Sequence, residues 1–467
     1  MADFPERSFA FENGLRPGAR YDAIFYGAYA GTSTFDIRVR FDFKQRLNRS
    51  KLQRAADNAL LAYPEFKVRP VIKDGRVFYE ENFKPVCLRD DDNETLYFGT
   101  DGADGTNGYL FVFLCGERHL TFSLYHGLTD AHGMIAYIAS VMWEYVKLAL
   151  PPMRFIRTHA FDKFGLRSDA KSIPEMSDTE RYDPLTRFAG DGEFVTVFDE
   201  STLYHLPPEE FNKADVSCRL INLEISNEAF SRRAKQLNTS FAPLLAAYAA
   251  QAIDSAYEIG DRTISVITTV DSRRVCPTPS LGNMAYNCPL PVTKADLGMP
   301  LQNLCARLRA DMKKQITEDH VRAMFRFILG QCNDIDGMGD IVSVNDFLTG
   351  PDGLKGLTEN GTIFLTYPGR VGNNPVSRVL LNGVTPGMLA MERAINVYAH
   401  RDSLIIQVSQ KSDDTTLVNA LRKTLIRHGF DPKMYDMGRV RQNVMDLHRL
   451  KTVGAPKAAA EEGENNG

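Results

Sequence analysis

Alternating hydrophobic and polar residues predict strands in the first half of the chain. Residues 33–43 (STFDIRVRFDF) alternate as a half-buried strand does, and residues 108–116 and 118–126 form two further apolar runs separated by a Gly-Glu turn. The run GRVFYEE after KDG (73–75) is typical of the second arm of a hairpin. We therefore expect a sheet built from neighbouring antiparallel strands.

Helical spacing of apolar residues predicts the helices. Residues 48–64 place Leu52, Ala55, Ala56, Ala59 and Leu60 on one face, with Ser50 as the candidate N-cap and Pro64 as the stop. A second block of elements follows: strands over 218–226, 263–271, 361–369 and 393–410, and helices over 227–238, 240–260 and 415–428. Two blocks of similar α/β character predict two lobes with one cleft between them.

These patterns divide the chain into four parts. We expect an N-terminal lobe over 1–190, a crossover or linker over 191–215, a C-terminal lobe over 216–452 and a disordered tail over 453–467. The tail lacks the apolar residues that would offset the entropy cost of ordering it.

Composition narrows the class of protein. The chain has 467 residues, a net charge of -4 and a pI near 6.2, which gives no support for nucleic-acid binding. The N-terminus has no apolar signal region, and no run of about 18 apolar residues predicts a transmembrane helix. Seven scattered cysteines without a C-x-x-C pair favour reduced thiols and a cytoplasmic protein.

The segment SLYHGLTDAHG (123–133) carries the candidate chemistry. His126 ends the apolar face of a strand, Gly127 allows a tight turn, and Asp130 can cap the helix that follows. An imidazole between apolar side chains and a cleft stays largely neutral near pH 7, so His126 is a candidate general base.

Other interpretations of this segment remain open. In one, His126 is a hydrogen-bonded histidine at the end of a strand and Asp130 is a plain helix cap. In the other, His126, Asp130 and His132 are metal ligands. Zinc sites need three or four convergent ligands, and no second cluster completes the set, so we expect no metal. The chain contains no G-x-S-x-G elbow, P-loop or dinucleotide-binding glycine pattern.

The stretch HGLTD (126–130) resembles the H-x-x-x-D motif of the acyltransferase superfamily with the chloramphenicol acetyltransferase-like fold. That superfamily includes alcohol acetyltransferases and the condensation domains of nonribosomal peptide synthesis. Four further segments resemble it in the same order along the chain. They are the helix, proline and hairpin over 47–81, the helix, strand and arginine over 238–274, SLGNMAYNCPLPV (280–292) and TYPGRVG (366–372). The fuller motif is H-H-x-x-x-D-G; here Tyr125 replaces the first histidine and Ala131 the glycine.

This resemblance implies two similar mixed-sheet lobes with an active-site tunnel at their interface. It implies that His126 deprotonates a hydroxyl or amine acceptor attacking a thioester, and that Asp130 holds the turn, paired with Arg273 or Arg274. Tyr125, Gly127, Asn287 and Tyr367 are the expected substrate-binding residues.

The expected co-substrate is acyl-CoA, with no permanently bound cofactor, and the expected partner is a small-molecule acceptor, with O-acylation ahead of N-acylation. Two alternatives stay open: a condensation-type enzyme that takes its donor from a carrier protein in trans, and a non-catalytic descendant that binds a ligand in the same cleft.

Overall fold

The strands form three mixed sheets. The computed structural model describes residues 9–27, 35–149, 167, 170–197, 199–210, 215–349, 361–371, 375–387 and 393–453. Within these ranges the sheets have four, five and seven strands, and each contains both parallel and antiparallel pairs. The predicted α/β class with mixed sheets is confirmed.

The four-stranded sheet joins the start of the chain to its end. It has the order β1-β4-β3-β16, with strands β1 (Leu15–Pro17), β3 (Val68–Lys73), β4 (Arg76–Glu81) and β16 (Lys451–Thr452). The β3–β4 connection is the predicted hairpin, and its turn residues Asp74 and Gly75 have φ values of 49° and 72°. Two successive positive φ values are those of a type I′ turn.

The five-stranded sheet carries the strand that leads to His126. Its order is β12-β2-β7-β6-β5, with strands β2 (Asp36–Phe43), β5 (Leu88–Asp90), β6 (Phe111–Cys115), β7 (His119–Tyr125) and β12 (Leu381–Pro386). Helices α2 (Arg49–Leu60) and α3 (Ala131–Ala149) bury their apolar faces in the same core as this sheet. Helix α2 begins two residues earlier than a cap at Ser50 would place it, because Asn48 is its cap and accepts a bond from the Lys51 amide at 3.0 Å.

The seven-stranded sheet forms most of the second half. Its order is β10-β9-β11-β13-β14-β8-β15, with strands β8 (Ser217–Ser226), β9 (Ile264–Asp271), β10 (Ala285–Val292), β11 (Ile363–Thr366), β13 (Ala394–His400), β14 (Ser403–Gln410) and β15 (Lys433–Arg441). One large apolar core lies between this sheet and the helices around it.

The remaining helices complete these layers. They are α1 (Asp22–Gly27), α4 (Asp178–Tyr182), α5 (Pro184–Phe188), α6 (Asn227–Gln236), α7 (Phe241–Ala256), α8 (Lys294–Leu297), α9 (Leu301–Gln315), α10 (Glu318–Gly337), α11 (Ile341–Thr349), α12 (Pro375–Leu380) and α13 (Thr416–Arg427). None of the described helices combines the length and apolarity that crossing a bilayer requires.

Two strands of the second half belong to sheets of the first half. Strand β12 pairs antiparallel with β2, and β16 pairs parallel with β3. The division into lobes at 1–190 and 216–452 therefore does not follow the sheets, because a strand joins the edge that offers it hydrogen bonds regardless of its distance along the chain. The expected tail over 453–467 lies outside the described residues except for Val453, whose amide donates to the Ile72 carbonyl at 2.8 Å.

Candidate active site

His126 lies in the turn directly after strand β7. Its backbone amide donates to the Phe35 carbonyl at 2.9 Å, which holds the turn against the start of β2. The ring of Phe25 stacks on the imidazole with centroids 5.4 Å apart, and Phe35 meets it edge-on at 6.3 Å. The imidazole is therefore held in one orientation by aromatic side chains.

The surroundings of His126 keep its ring neutral. Burial lowers the pKa of His126 below its ordinary value, and the carbonyls of His126 itself and of Thr129 offset this only in part. Its Nδ1 is buried and has no hydrogen-bond partner in the described part of the chain, while the residue as a whole keeps part of its surface exposed. A neutral, partly exposed imidazole can accept a proton.

Asp130 ties the turn to both halves of the molecule. Its Oδ1 accepts from the amide of His132 at 2.9 Å and caps helix α3. Its Oδ2 accepts from Arg273 at 2.8 Å and from the amide of Met284 at 2.9 Å. The structure thus brings Asp130 and Arg273 together, whereas Arg274 is exposed.

The Asp130–Arg273 pair is buried on both sides. The side chains are 5% and 7% exposed. Burial alone would raise the pKa of Asp130, but the charge and hydrogen bonds of Arg273 hold that pKa below its usual range. Arg273 also donates to the carbonyls of Ser280 at 3.0 Å and Gly282 at 2.6 Å, so it fixes the segment before β10 as well.

Asn283 is a site residue that sequence reasoning missed. Its side-chain amide donates to the carbonyls of His126 at 2.9 Å and Gly127 at 3.2 Å, and so holds the turn from the second half of the chain. The resemblance includes the segment 280–292, but it implies a substrate-binding role for Asn287 and not for Asn283. The adjacent Gly282-Asn283 pair in the same segment was the available signal.

The glycines of the turn allow close contact between the two halves. A Cβ at Gly133 would lie 2.8 Å from the Leu281 carbonyl, and Thr129 also donates to that carbonyl. A Cβ at Gly127 would lie 2.6 Å from the ring of Tyr125. Gly133 therefore allows the first turn of α3 to approach the backbone at Leu281.

The other predicted substrate-binding residues differ in burial and in their contacts. Tyr125 is buried, and its hydroxyl donates to the Phe25 carbonyl at 2.7 Å. Asn287 is exposed on strand β10. Tyr367 follows β11, is half-buried and stacks on Phe241 with centroids 5.1 Å apart. The Gly127 carbonyl accepts from Asn283 at 3.2 Å, and substrate binding by these four residues stays a prediction.

His132 lies on the first turn of α3 and is half-buried. Its Nδ1 is 3.9 Å from a carboxylate oxygen of Asp271, and burial lowers its pKa. Among the described residues no group of three or more histidine, cysteine or acidic side chains is placed to hold a metal ion.

Comparison with known proteins gives structural likeness without sequence likeness. No protein-family model and no curated protein sequence matches the chain. A trichothecene 15-O-acetyltransferase, TRI3 from Fusarium sporotrichioides, is similar with a TM-score of 0.57 and 10% identity, over 90% of this chain and 96% of that one. TRI101 from F. sporotrichioides, solved with coenzyme A and T-2, has a TM-score of 0.56 and 11% identity, over 89% and 98%.

A nonribosomal peptide synthetase domain is also similar. The epimerization domain from the third module of tyrocidine synthetase B has a TM-score of 0.51 and 11% identity, over 84% of this chain and 92% of that one. These neighbours cover most of the described sheets and helices. The chain therefore has the two-lobed, mixed-sheet α/β fold shared by these acetyltransferases and this peptide synthetase domain.

Proposed function

We propose that this protein is an acyltransferase of the chloramphenicol acetyltransferase-like superfamily that moves an acyl group from acyl-CoA to a hydroxyl or amine of a small acceptor. The observation that carries the proposal is the partly exposed imidazole of His126, stacked on Phe25 and kept neutral by burial. It sits in a turn that both halves of the molecule hold, at the place where the H-x-x-x-D motif of the superfamily has its base.

In the proposed reaction His126 takes the proton of the acceptor. The acceptor oxygen or nitrogen then bonds to the thioester carbonyl carbon, the carbon–sulfur bond breaks, and the leaving thiolate recovers the proton from the imidazolium. The products are the acylated acceptor and the free thiol, so no covalent acyl-enzyme forms. Base assistance of this kind contributes roughly 10²–10⁴-fold.

Asp130 is a positioning residue in this proposal. Both of its oxygens are used by Arg273 and backbone amides, so it holds the turn and does not face the ring as a proton acceptor. Asn283 acts in the same way through the two carbonyls that it binds.

The donor and the cellular compartment are part of the proposal. TRI101, which shares the fold, was solved with coenzyme A, and this supports acyl-CoA as the co-substrate. The likeness to a peptide synthetase domain supports a carrier-protein thioester as the alternative donor. All seven cysteines are unpaired, which supports a cytoplasmic location.

The test is the release of free thiol from acetyl-CoA and longer acyl-CoAs in the presence of a panel of alcohols and amines. We expect His126→Ala to lower the rate by about 10²–10⁴-fold. His132→Ala is the matched control, because this second histidine of the same segment has its own contact with Asp271 and should leave the rate within a few fold.

Equal rates for the wild type and His126→Ala would exclude the proposed role of this residue. If no acyl-CoA released thiol in the presence of an acceptor but an acylated carrier protein did, the donor would be the carrier-protein thioester and not acyl-CoA. Binding of acceptors without release from either donor would identify a non-catalytic descendant.

A further inference from the structure

A cavity whose lining includes charged side chains lies beside the turn that carries His126. Gly127, Leu128 and Asn283 form one wall of it, and Arg16, Asp22 and Tyr79 form another. It encloses about 470 Å³ between atoms, part of which is open to solvent. Because Asn283 binds the carbonyls of both His126 and Gly127, this cavity adjoins the backbone of the candidate base.

Arg16 presents a buried positive charge to this cavity. Only 3% of Arg16 is exposed, and its guanidinium lies over the rings of Tyr182 at 4.1 Å and Tyr79 at 4.7 Å. Its Nε has no hydrogen-bond partner among the residues that the structure describes, and one terminal nitrogen donates to the Pro17 carbonyl at a long 3.4 Å. The two rings cover the guanidinium, and its Nε donor remains unused.

The nearby carboxylates are already occupied. Glu65 accepts from Arg167 at 2.8 Å and from Arg181 at 3.1 Å. Asp22 accepts from the Tyr79 hydroxyl and the Ala19 amide, each at 3.0 Å, and burial raises its pKa to about 7. No ion pair joins Arg16 to either carboxylate. Asp22 and Glu65 stabilise this cation electrostatically, but neither forms an ion pair with it, so a ligand that does would stabilise it further.

We propose that Arg16 binds the carboxylate of the acceptor, so that the acceptor is a small organic acid whose reacting hydroxyl or amine points past Gly127 towards His126. This inference rests on the function proposed above and names its substrate class. A carboxylate matches the planar fork of an arginine. A phosphate dianion fits less well, because Asp22, Glu65 and Asp183 also line the cavity and would repel a second negative charge.

The test is direct binding of hydroxy acids and their methyl esters. Lactate, 3-hydroxybutyrate and 4-hydroxybenzoate, each paired with its ester, are titrated calorimetrically into the wild type, Arg16→Gln and Arg16→Lys. We expect at least one acid to bind the wild type tenfold or more tightly than its ester. Arg16→Gln should remove this preference, and Arg16→Lys should keep only part of it because a lysine has no fork.

Two outcomes would overturn the inference. One is equal binding of acid and ester by the wild type; the other is an unchanged preference in Arg16→Gln. Coenzyme A and inorganic phosphate are titrated in parallel. If Arg16→Gln weakened these two and spared the acids, the cation would serve the donor and the inference would be wrong.

A second variant keeps the test decisive if Arg16→Gln does not fold, as judged by circular dichroism. Asp22→Asn removes a negative charge from the cavity lining that repels the ligand's carboxylate, and it should tighten acid binding about threefold without changing ester binding. Unchanged acid affinity in folded Asp22→Asn would contradict the inference.

His126→Ala separates this inference from the proposed function. Acid binding that depends on Arg16 should persist in His126→Ala while thiol release is lost. If the wild type bound acids through Arg16 but released no thiol from any donor, the proposed function would fail and the carboxylate site would stand.

Discussion

Aromatic side chains pack around the candidate base, His126. Phe25 covers one face of the His126 ring and Phe35 meets its edge, so the charged form of the imidazole loses hydration, and the charge of Asp130 offsets this loss only in part. Asp130 is four residues away in the chain, but both of its oxygens are used elsewhere. The aspartate of the motif therefore controls the position of the turn more than the charge of the ring.

The pH dependence of the rate follows from this environment. Only the neutral imidazole can accept a proton, and burial lowers the pKa of His126 below its ordinary value of 6.5. We expect kcat/KM to be flat between about pH 7 and 8 and to fall only as the pH drops through this lowered pKa. A pH–rate profile at fixed acyl-CoA concentration measures the pH at which the rate falls. A midpoint above 6.5 would contradict the role of His126 as the base.

Loss of the buried ion pair should cost much more stability than loss of an exposed one. Asp130→Asn keeps the helix cap but leaves Arg273 with only the partly exposed Asp271 as a carboxylate partner, so we expect a decrease of about 3 kcal/mol in the free energy of unfolding. The control is Glu228→Gln, which breaks an exposed pair with Arg232 whose side chains are 71% and 63% exposed, and should cost less than about 1 kcal/mol. Urea unfolding of the variants measures both.

The sign of the pH effect on stability gives a second check of the same pair. The pKa of Asp130 is lowered in the folded state, so its contribution is complete above the ordinary value of 3.8 and is lost as the pH falls through the lower native pKa. The difference between wild type and Asp130→Asn should therefore shrink below about pH 4. A difference that grew on acidification would rule out this account.

Helix α3 begins where the two halves of the chain make their closest contact. Gly133 in its first turn faces the Leu281 carbonyl, and a side chain there would need the segment before β10 to move. Helix packing and the position of the base are thus coupled through one helical turn.

Two helical glycines provide a matched comparison. We expect Gly133→Ala to destabilise the protein by about 1–3 kcal/mol through overpacking and to reduce thiol release. Gly330→Ala in α10, where a Cβ meets nothing within 4 Å, should instead be neutral or stabilising by about 0.5–1 kcal/mol. Thermal unfolding measures the stability of both variants, and the thiol assay measures their rates. Equal effects of the two substitutions would show that the close contact at α3 is unimportant.

Local patterns predicted the elements that bury one face against a neighbouring element. Helix α2 and strands β2, β7 and β8 lie close to their predicted ranges because their apolar spacing is long and regular. Strand β12, by contrast, reads Leu-Asn-Gly-Val-Thr-Pro, which is short and mixed, and its partner lies more than 300 residues earlier. Asn283 was missed for a related reason: its role depends on carbonyls of a distant turn, not on its own neighbours.

The whole molecule is joined by hydrogen bonds across the sequence as well as by sheets. Asn443 donates from its backbone to Asp36 at 2.8 Å and from its side chain to Ser123 at 2.7 Å, and all three residues are buried. Together with β12 and β16, this contact fixes the end of the chain in the sheets that begin it.

We therefore expect the two lobes to unfold in one transition. Trp143, the single tryptophan, lies in α3 of the first half, whereas far-ultraviolet circular dichroism reports on the whole chain. Urea curves from tryptophan fluorescence and circular dichroism should have the same midpoint. Separate midpoints would indicate lobes that unfold independently. Asn443→Ala should move both curves together to lower urea.

The position of β12 late in the chain leaves a strand edge exposed while the protein is being synthesised. Strand β2 exposes an unpaired edge until residue 386 has emerged, although α3 is complete at residue 149. At about 5–20 residues per second, translation of the intervening stretch takes roughly 10–50 s. During that time the nascent chain carries an open sheet edge of the kind that pairs with other chains, and this edge is covered only when β12 has been made.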